Sequence, residues 1–319
     1  MINKHKKLNW IELVVLAGLL LIYGWATYER NLVWKDELSL WSDVVKKSLQ
    51  KYRPHNNLGR AYSDVKQNSL AISEYQIALR INPHSSKIYV NLGSVYMTLG
   101  KDALATQMLE EALKIDHNDY KALILLGDMH RKEGLTGRAI EEFKSSLEVN
   151  PQALDAYNAL GSIYLDKGLI DTAISEYKKI LLISPDNYRA YYNLGIVYDM
   201  KGFPEEAINQ YKKALHIKPD YPDALSNIGI IYGRMGKFED AVLLFKKALN
   251  VAPDDVIALL NLAIAYEELA KIYEVNVVSE EQLAKSKEFK TKAIETYERV
   301  LEINPDNSQA KERITGLRE

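Results

Sequence analysis

Residues 57–83 read NLGRAYSDVKQNSLAISEYQIALRINP, and the pattern in this stretch returns every 34 residues. Leu58, Gly59 and Tyr62 share one helical face at i, i+1, i+4 spacing. Lys66-Gln67-Asn68 makes a short polar break. Ala71, Tyr75 and Ala78 then follow at i, i+4, i+7, the apolar stripe of a second helix. Pro83 stops it, because proline cannot continue a helix and pushes the residue before it to extended geometry. One unit is therefore helix, turn, helix, stop.

Working outward, glycine recurs at Gly59, Gly93, Gly127, Gly161, Gly195 and Gly229, with Ala263 in the seventh slot. Alanine recurs at Ala71, Ala105, Ala139, Ala173, Ala207 and Ala241. A large apolar residue recurs at Tyr75, Leu109, Phe143, Tyr177, Tyr211 and Phe245. The proline slot holds Pro83, Pro151, Pro185, Pro219 and Pro253, with His117 as the exception. Glycine inside a helix costs about 1 kcal/mol relative to alanine, so a periodic glycine implies close approach of two helices. A fixed period of this length specifies stacked helix pairs rather than one closed core.

This set of small residues, aromatic slot and proline resembles the tetratricopeptide repeat family from about Tyr52 to Pro305. The resemblance implies an all-α superhelical solenoid of seven units: 52–85, 86–119, 120–153, 154–187, 188–221, 222–255 and 256–307. Pro253 and Pro305 lie 52 residues apart, 18 more than the 34-residue period. The last unit therefore carries an insertion, expected as two lengthened helices with Ser279 and Gln282 as a capping box. It reads either as a longer end cap or as a docking arm. Residues 29–51 read as a linker and half-repeat capping helix, in which Trp41 and Val44 match Tyr75 and Ala78. Residues 308–319 read as a closing helix.

Residues 10–28 carry one charge, Glu12, and are long enough to span a bilayer. Trp10 at one edge and Tyr23, Trp25 and Tyr28 at the other suit the two interfaces. A secretory leader cleaved after Ala26 is the rival reading. We take the segment as an uncleaved single span preceded by a basic cytoplasmic tail, residues 1–9. Lys4, Lys6 and Lys7 precede the span and only Arg30 and Lys35 follow closely, which points the repeats to the periplasmic, extracytoplasmic side.

A net charge of −2 gives no basic field for nucleic acid. The absence of cysteine excludes disulfides, zinc-thiolate sites and cysteine nucleophiles. Of the six histidines none is paired at metal-ligand spacing, and His130 falls in the Tyr62 slot, a packed position. Carboxylates decorate exposed faces beside lysines, and no phosphate loop is present. The expectation is no enzyme, no cofactor, no metal and no small-molecule substrate.

One series has no packing role in the template: Asn57, Asn91, Asn193, Asn227 and Asn261, two residues before the periodic small residue, interrupted by Leu125 and Ala159. Asparagine is a poor helix-interior residue. The family resemblance places this slot on the concave face, where an amide ladder can bind an extended peptide backbone. The ladder is similar to that in the repeats of O-linked N-acetylglucosamine transferase. The alternative is that these amides bridge neighbouring first helices.

Arg53, Lys87, Lys121 and Arg189, four residues before the ladder slot, face the same groove and partly resemble a carboxylate clamp; Leu125 stands where that clamp wants a base. Ile196, Ile230 and Ile264 make the later groove apolar. Asn31, Trp34, Leu40-Trp41 and Asn57-Leu58-Gly59 resemble the membrane-to-repeat junction of transmembrane O-mannosyltransferase-like proteins, with the catalytic membrane domain missing. The chain is then either a stand-alone scaffold or a segment of a longer one. The expected function is a membrane-anchored scaffold with a protein or peptide partner in its concave groove. The alternative is a non-catalytic arm of an envelope glycosyltransferase system.

Overall fold

The computed structural model describes residues 9–275 and 279–318, with backbone only at Leu32 and Val33. The tail lysines Lys4, Lys6 and Lys7 lie outside the described residues. Those described form seventeen helices and no strand, grouped into two compact units, Met1–Pro151 and Gln152–Glu319. The all-α, repeat-solenoid expectation is met in both.

In the first unit α1 (Trp10–Val33) and α2 (Glu37–Lys47) precede three helix pairs. These are α3 (Tyr52–Asp64) with α4 (Asn68–Ile81), α5 (Ser86–Thr98) with α6 (Asp102–Ile115), and α7 (Tyr120–Lys132) with α8 (Thr136–Val149). Within α1, residues Trp10–Asn31 are apolar enough to cross a membrane. At 1.5 Å per residue they extend about 33 Å, matching a hydrocarbon core of about 30 Å. A secretory leader meets the same criteria. Among the described residues nothing covers this helix: Leu20, Leu21 and Ile22 are exposed. Helix α2 packs on α3 and buries Val45, while Trp41 and Val44 are half-buried. His55, buried, ties this end together through its Nδ1 to Glu74 at 2.6 Å and its Nε2 to the Leu49 carbonyl at 3.1 Å.

The second unit holds three regular pairs and one long one. The regular pairs are α9 (Leu154–Asp166) with α10 (Ile170–Ile183), α11 (Tyr188–Met200) with α12 (Pro204–Ile217), and α13 (Pro222–Arg234) with α14 (Phe238–Val251). The long pair is α15 (Val256–Val275) with α16 (Glu280–Ile303), and α17 (Ser308–Arg318) follows.

Within each pair the small residue of the first helix meets the large residue of the second. A β-carbon on Gly59 would lie 2.7 Å from the Tyr75 ring, and one on Gly195 2.5 Å from Tyr211. Tyr75, Phe143, Tyr211 and Tyr297 are fully buried. His130 is buried in the Tyr62 slot.

A second periodic glycine set closes the turn. Gly100, Gly134, Gly168, Gly202 and Gly236 have positive φ, and Lys66 takes the same conformation at φ 59° in the first pair. This left-handed residue ends the first helix. Ala270 stands in that slot in the last unit, and α15 runs straight through it. The prolonged helices pair through Tyr273 on Phe289, with ring centroids 5.7 Å apart, and through the Ser286 hydroxyl donating to the Ala270 carbonyl at 2.9 Å. The Ser279 side chain caps α16 by accepting from the Gln282 amide.

Helix α17 is held by Glu267. Its carboxylate, 5% exposed, accepts from Arg313 at 2.9 Å, Lys271 at 2.8 Å and the Tyr297 hydroxyl at 3.2 Å. Burial pushes the Glu267 carboxyl up, but Lys271 and Arg313 outweigh it and hold the group below the usual carboxylate range.

Candidate binding groove

Within each unit, first helices of neighbouring repeats come into contact. Helix α5 touches both α3 and α7, and α13 touches α15. The asparagine series sits on these helices, and three of its members reach the preceding repeat. Asn91 Nδ2 donates to Asn56 Oδ1 at 2.9 Å and Asn193 Nδ2 to Asn158 Oδ1 at 2.8 Å. Asn227 Nδ2 donates to the Tyr192 hydroxyl at 3.3 Å and the Tyr211 hydroxyl at 3.2 Å. The interhelix bridge is thus made by these three, each spending amide donor capacity inside the protein.

The partner stands 35 residues upstream, one position before the previous ladder slot. Sequence reasoning overlooked that position, which reads Asn56, Val90, Ile124, Asn158, Tyr192 and Ser226. The periodicity carries the signal: a polar residue there goes with asparagine in the next ladder slot, an apolar one with Leu125 or Ala159. Leu125 packs against the small cluster around Val90, Ala112 and Ala122. Asn261 follows Ser226, and these two do not bond. Asn261 Nδ2 donates instead to the Ile257 carbonyl at 2.9 Å, and the buried Ser226 hydroxyl is left without a hydrogen-bond partner. Asn57 accepts from Asn56 Nδ2 at 3.3 Å.

Four of the sequence-derived positions cluster in the first unit, where Arg53, Asn57 and Lys87 join Asn56, Tyr52, Ser85 and Ile88 around a cavity of about 400 Å³, and Asn91 bonds Asn56 at its wall. The cavity spans the starts of α3 and α5, so it presents two cations from adjacent repeats. Arg53 Nε lies 3.3 Å from the Tyr52 hydroxyl, and this contact holds Tyr52 below the usual tyrosine range. Lys121 belongs to the next repeat, its Nζ 6.0 Å from the Tyr120 ring centroid.

Arg189 lies in the second unit beside an aromatic group. Its Nε is 3.2 Å from the Tyr188 hydroxyl. Tyr188, Tyr192 and Tyr221 pack at centroid distances of 5.3 and 4.9 Å, and Lys218 Nζ lies 4.9 Å from the Tyr188 ring. Burial raises the Tyr192 hydroxyl. Ile230, Ile264 and Asn261 line a separate apolar cavity. Among the described residues no group of three or more His, Asp or Glu side chains is placed to hold a metal ion.

Models of the tetratricopeptide repeat match residues 52–85, 86–119, 120–152, 222–255 and 282–307, and a model of the TPR repeat matches 161–202 and 204–236. Comparison with curated protein sequences returns no match. The chain is similar to the solved structure of the C-terminal part of a TPR repeat-containing protein from Cytophaga hutchinsonii, at 20% identity and a TM-score of 0.61, covering 83% of this chain and 99% of that one. It is similar to pilF of Pseudomonas aeruginosa at 17% identity and a TM-score of 0.56, covering 72% and 97%. It is also similar to MamA, at 32% identity and a TM-score of 0.46, covering 51% and 95%. The first two likenesses speak to fold alone. Repeat matches along most of residues 52–307, on helix pairs in which a small residue of the first helix meets a large apolar one of the second, place the chain in the tetratricopeptide repeat family.

Proposed function

We propose that this protein is a non-catalytic, membrane-tethered scaffold that holds an extended peptide segment of a protein partner along its first helices. The observation that carries the reading is the basic cavity where Arg53, Lys87, Asn56 and Asn57 converge from two repeats. Two exposed cations beside amide donors suit a carboxylate, which accepts charge-assisted hydrogen bonds. In this reading α1 is the anchor and the repeats lie on the extracytoplasmic face, as the lysines of the tail favour. Asn57, Asn91, Asn193, Asn227 and Asn261 offer what amide capacity the bridges leave. Lys121 adds a further cation on the first helices of the first unit, and Arg189 one on those of the second.

The test titrates fluorescein-labelled extended peptides with a free C-terminal carboxylate, and their amidated twins, against the full chain in lipid nanodiscs. Arg53→Ala combined with Lys87→Ala is expected to weaken the free-acid peptides by about tenfold or more and leave the amides unchanged. Equal binding of acid and amide, or no effect of the double variant, removes the clamp. A reporter fused after Glu319, active only outside the cytoplasm, checks the orientation.

A second reading, a substrate-presenting arm of an envelope glycosyltransferase, rests on the junction residues Trp34 and Leu40-Trp41. Co-purification of a membrane glycosyltransferase dependent on residues 10–51 would favour it.

A further inference from the structure

Gly233 is a helical glycine that borders an apolar cavity. A β-carbon added there would meet nothing within 4 Å, so close approach does not require it, and its φ is not positive. It lies inside α13, where glycine is unfavourable relative to alanine. The same register elsewhere carries a side chain: Ser63, Met97, Arg131, Leu165, Asp199 and Glu267. Met97 and Leu165 are half-buried and pack against hydrophobic clusters. Where Gly233 leaves that side chain out, a cavity of about 220 Å³ opens, walled by Ile230, Phe238, Phe245 and Ile264 and rimmed by Arg234 and Asn261. An apolar cavity of about 150 Å³ already accommodates benzene.

Resting on the reading of the first helices as a peptide groove, we infer that this cavity is the anchor site for one aliphatic side chain, leucine or methionine, of a peptide held along α13 and α15. The chain itself indicates the occupant, since Met97 and Leu165, one and three repeats after Ser63 in the same register, lay aliphatic side chains against hydrophobic clusters. The rim suits a peptide. Asn261 spends Nδ2 on the Ile257 carbonyl, which leaves its Oδ1 to accept a backbone N–H from an extended strand. Arg234 is paired with Asp199, so the rim carries little net charge and an uncharged anchor fits it. Specificity then comes from depth: a leucine or methionine buries most of its surface, alanine does not reach the floor, and lysine carries its charge into apolar walls.

The test selects linear peptides from a displayed random 12-residue library against the full chain in nanodiscs, then measures the enriched peptides by anisotropy. One leucine or methionine position is expected to dominate. Changing it to alanine should weaken binding by about tenfold or more. Gly233→Leu fills the cavity from inside and should weaken the parent peptide equally while leaving the alanine peptide unaffected, the coupling that marks one shared site. Gly233→Leu should unfold at the wild-type temperature or above, and Gly233→Ala should keep affinity within about twofold. Peptides whose binding falls with Arg53→Ala and Lys87→Ala but ignores Gly233→Leu would overturn the anchor site and leave the groove reading standing. Binding insensitive to both sets of variants, or no enrichment at all, would overturn both.

Discussion

The ring of Tyr177 stands 2.7 Å from the point that a β-carbon on Gly161 would occupy. The tyrosine is buried and its neighbours on α9 and α10 are close-packed, so neither partner has room to yield. Gly161→Ala is expected to destabilise the fold by about 1–3 kcal/mol despite alanine's better helix propensity. Gly93→Ala, facing Leu109 at 3.0 Å, should cost less because an aliphatic chain can re-rotate. Urea unfolding of the two variants checks the order.

Lys66 holds φ 59° where the equivalent residues of the next five repeats are glycine. A left-handed conformation costs a residue with a β-carbon about 1–2 kcal/mol. Lys66→Gly should therefore stabilise the first repeat by about 1 kcal/mol, and Gly168→Ala should destabilise by a similar amount. Thermal midpoints of opposite shift are the expected reading; shifts of the same sign count against the turn argument.

The bond between Asn91 and Asn56 makes a testable pair. Asn56 is 6% exposed, so Asn91→Leu leaves its carbonyl short of a donor, at a cost of about 1–3 kcal/mol. Adding Asn56→Val recreates the apolar combination seen at Val90 and Leu125 and should recover most of the loss. A double-mutant cycle measures the recovery. If Asn91→Leu leaves stability untouched and abolishes peptide binding, the amide serves a ligand rather than its neighbour.

Glu267 makes the C-terminal end sensitive to acid. Its carboxyl is held below the usual range, so the folded state binds fewer protons than the unfolded one. The stabilisation is complete above the unfolded pKa of about 4.3 and is lost as pH falls through the lower folded value. Docking of α17 should weaken below about pH 4. Glu267→Gln should lower stability by about 1–3 kcal/mol at neutral pH and flatten this acid limb. Hydrogen exchange of α17 amides between pH 7 and 3, corrected for intrinsic rates, reports it.

Much of the architecture was legible because it repeats. One stretch, residues 57–83, shows the contact between Gly59 and Tyr75, and the period multiplies it. The turn glycines were less visible because the template repeat carries Lys66, the one departure among the first six. The partners of the asparagines escaped for a different reason. Asn56, Asn158 and Tyr192 sit in another repeat, and a single-unit reading contains no information about the offset between adjacent first helices. The cavity at Gly233 likewise depends on what four side chains from three helices leave unfilled.

The rung from Asn91 to Asn56 also bears on how such an array can change its length. Excision of residues 86–119 would keep every helix in phase, since a whole 34-residue module departs. It would also seat Leu125 against Asn56 in place of Asn91. The new junction would set a hydrocarbon against a sheltered amide. Modules here are thus not interchangeable beads: each carries an edge chemistry that only certain neighbours complete, and loss or duplication is tolerated where the exposed edges agree.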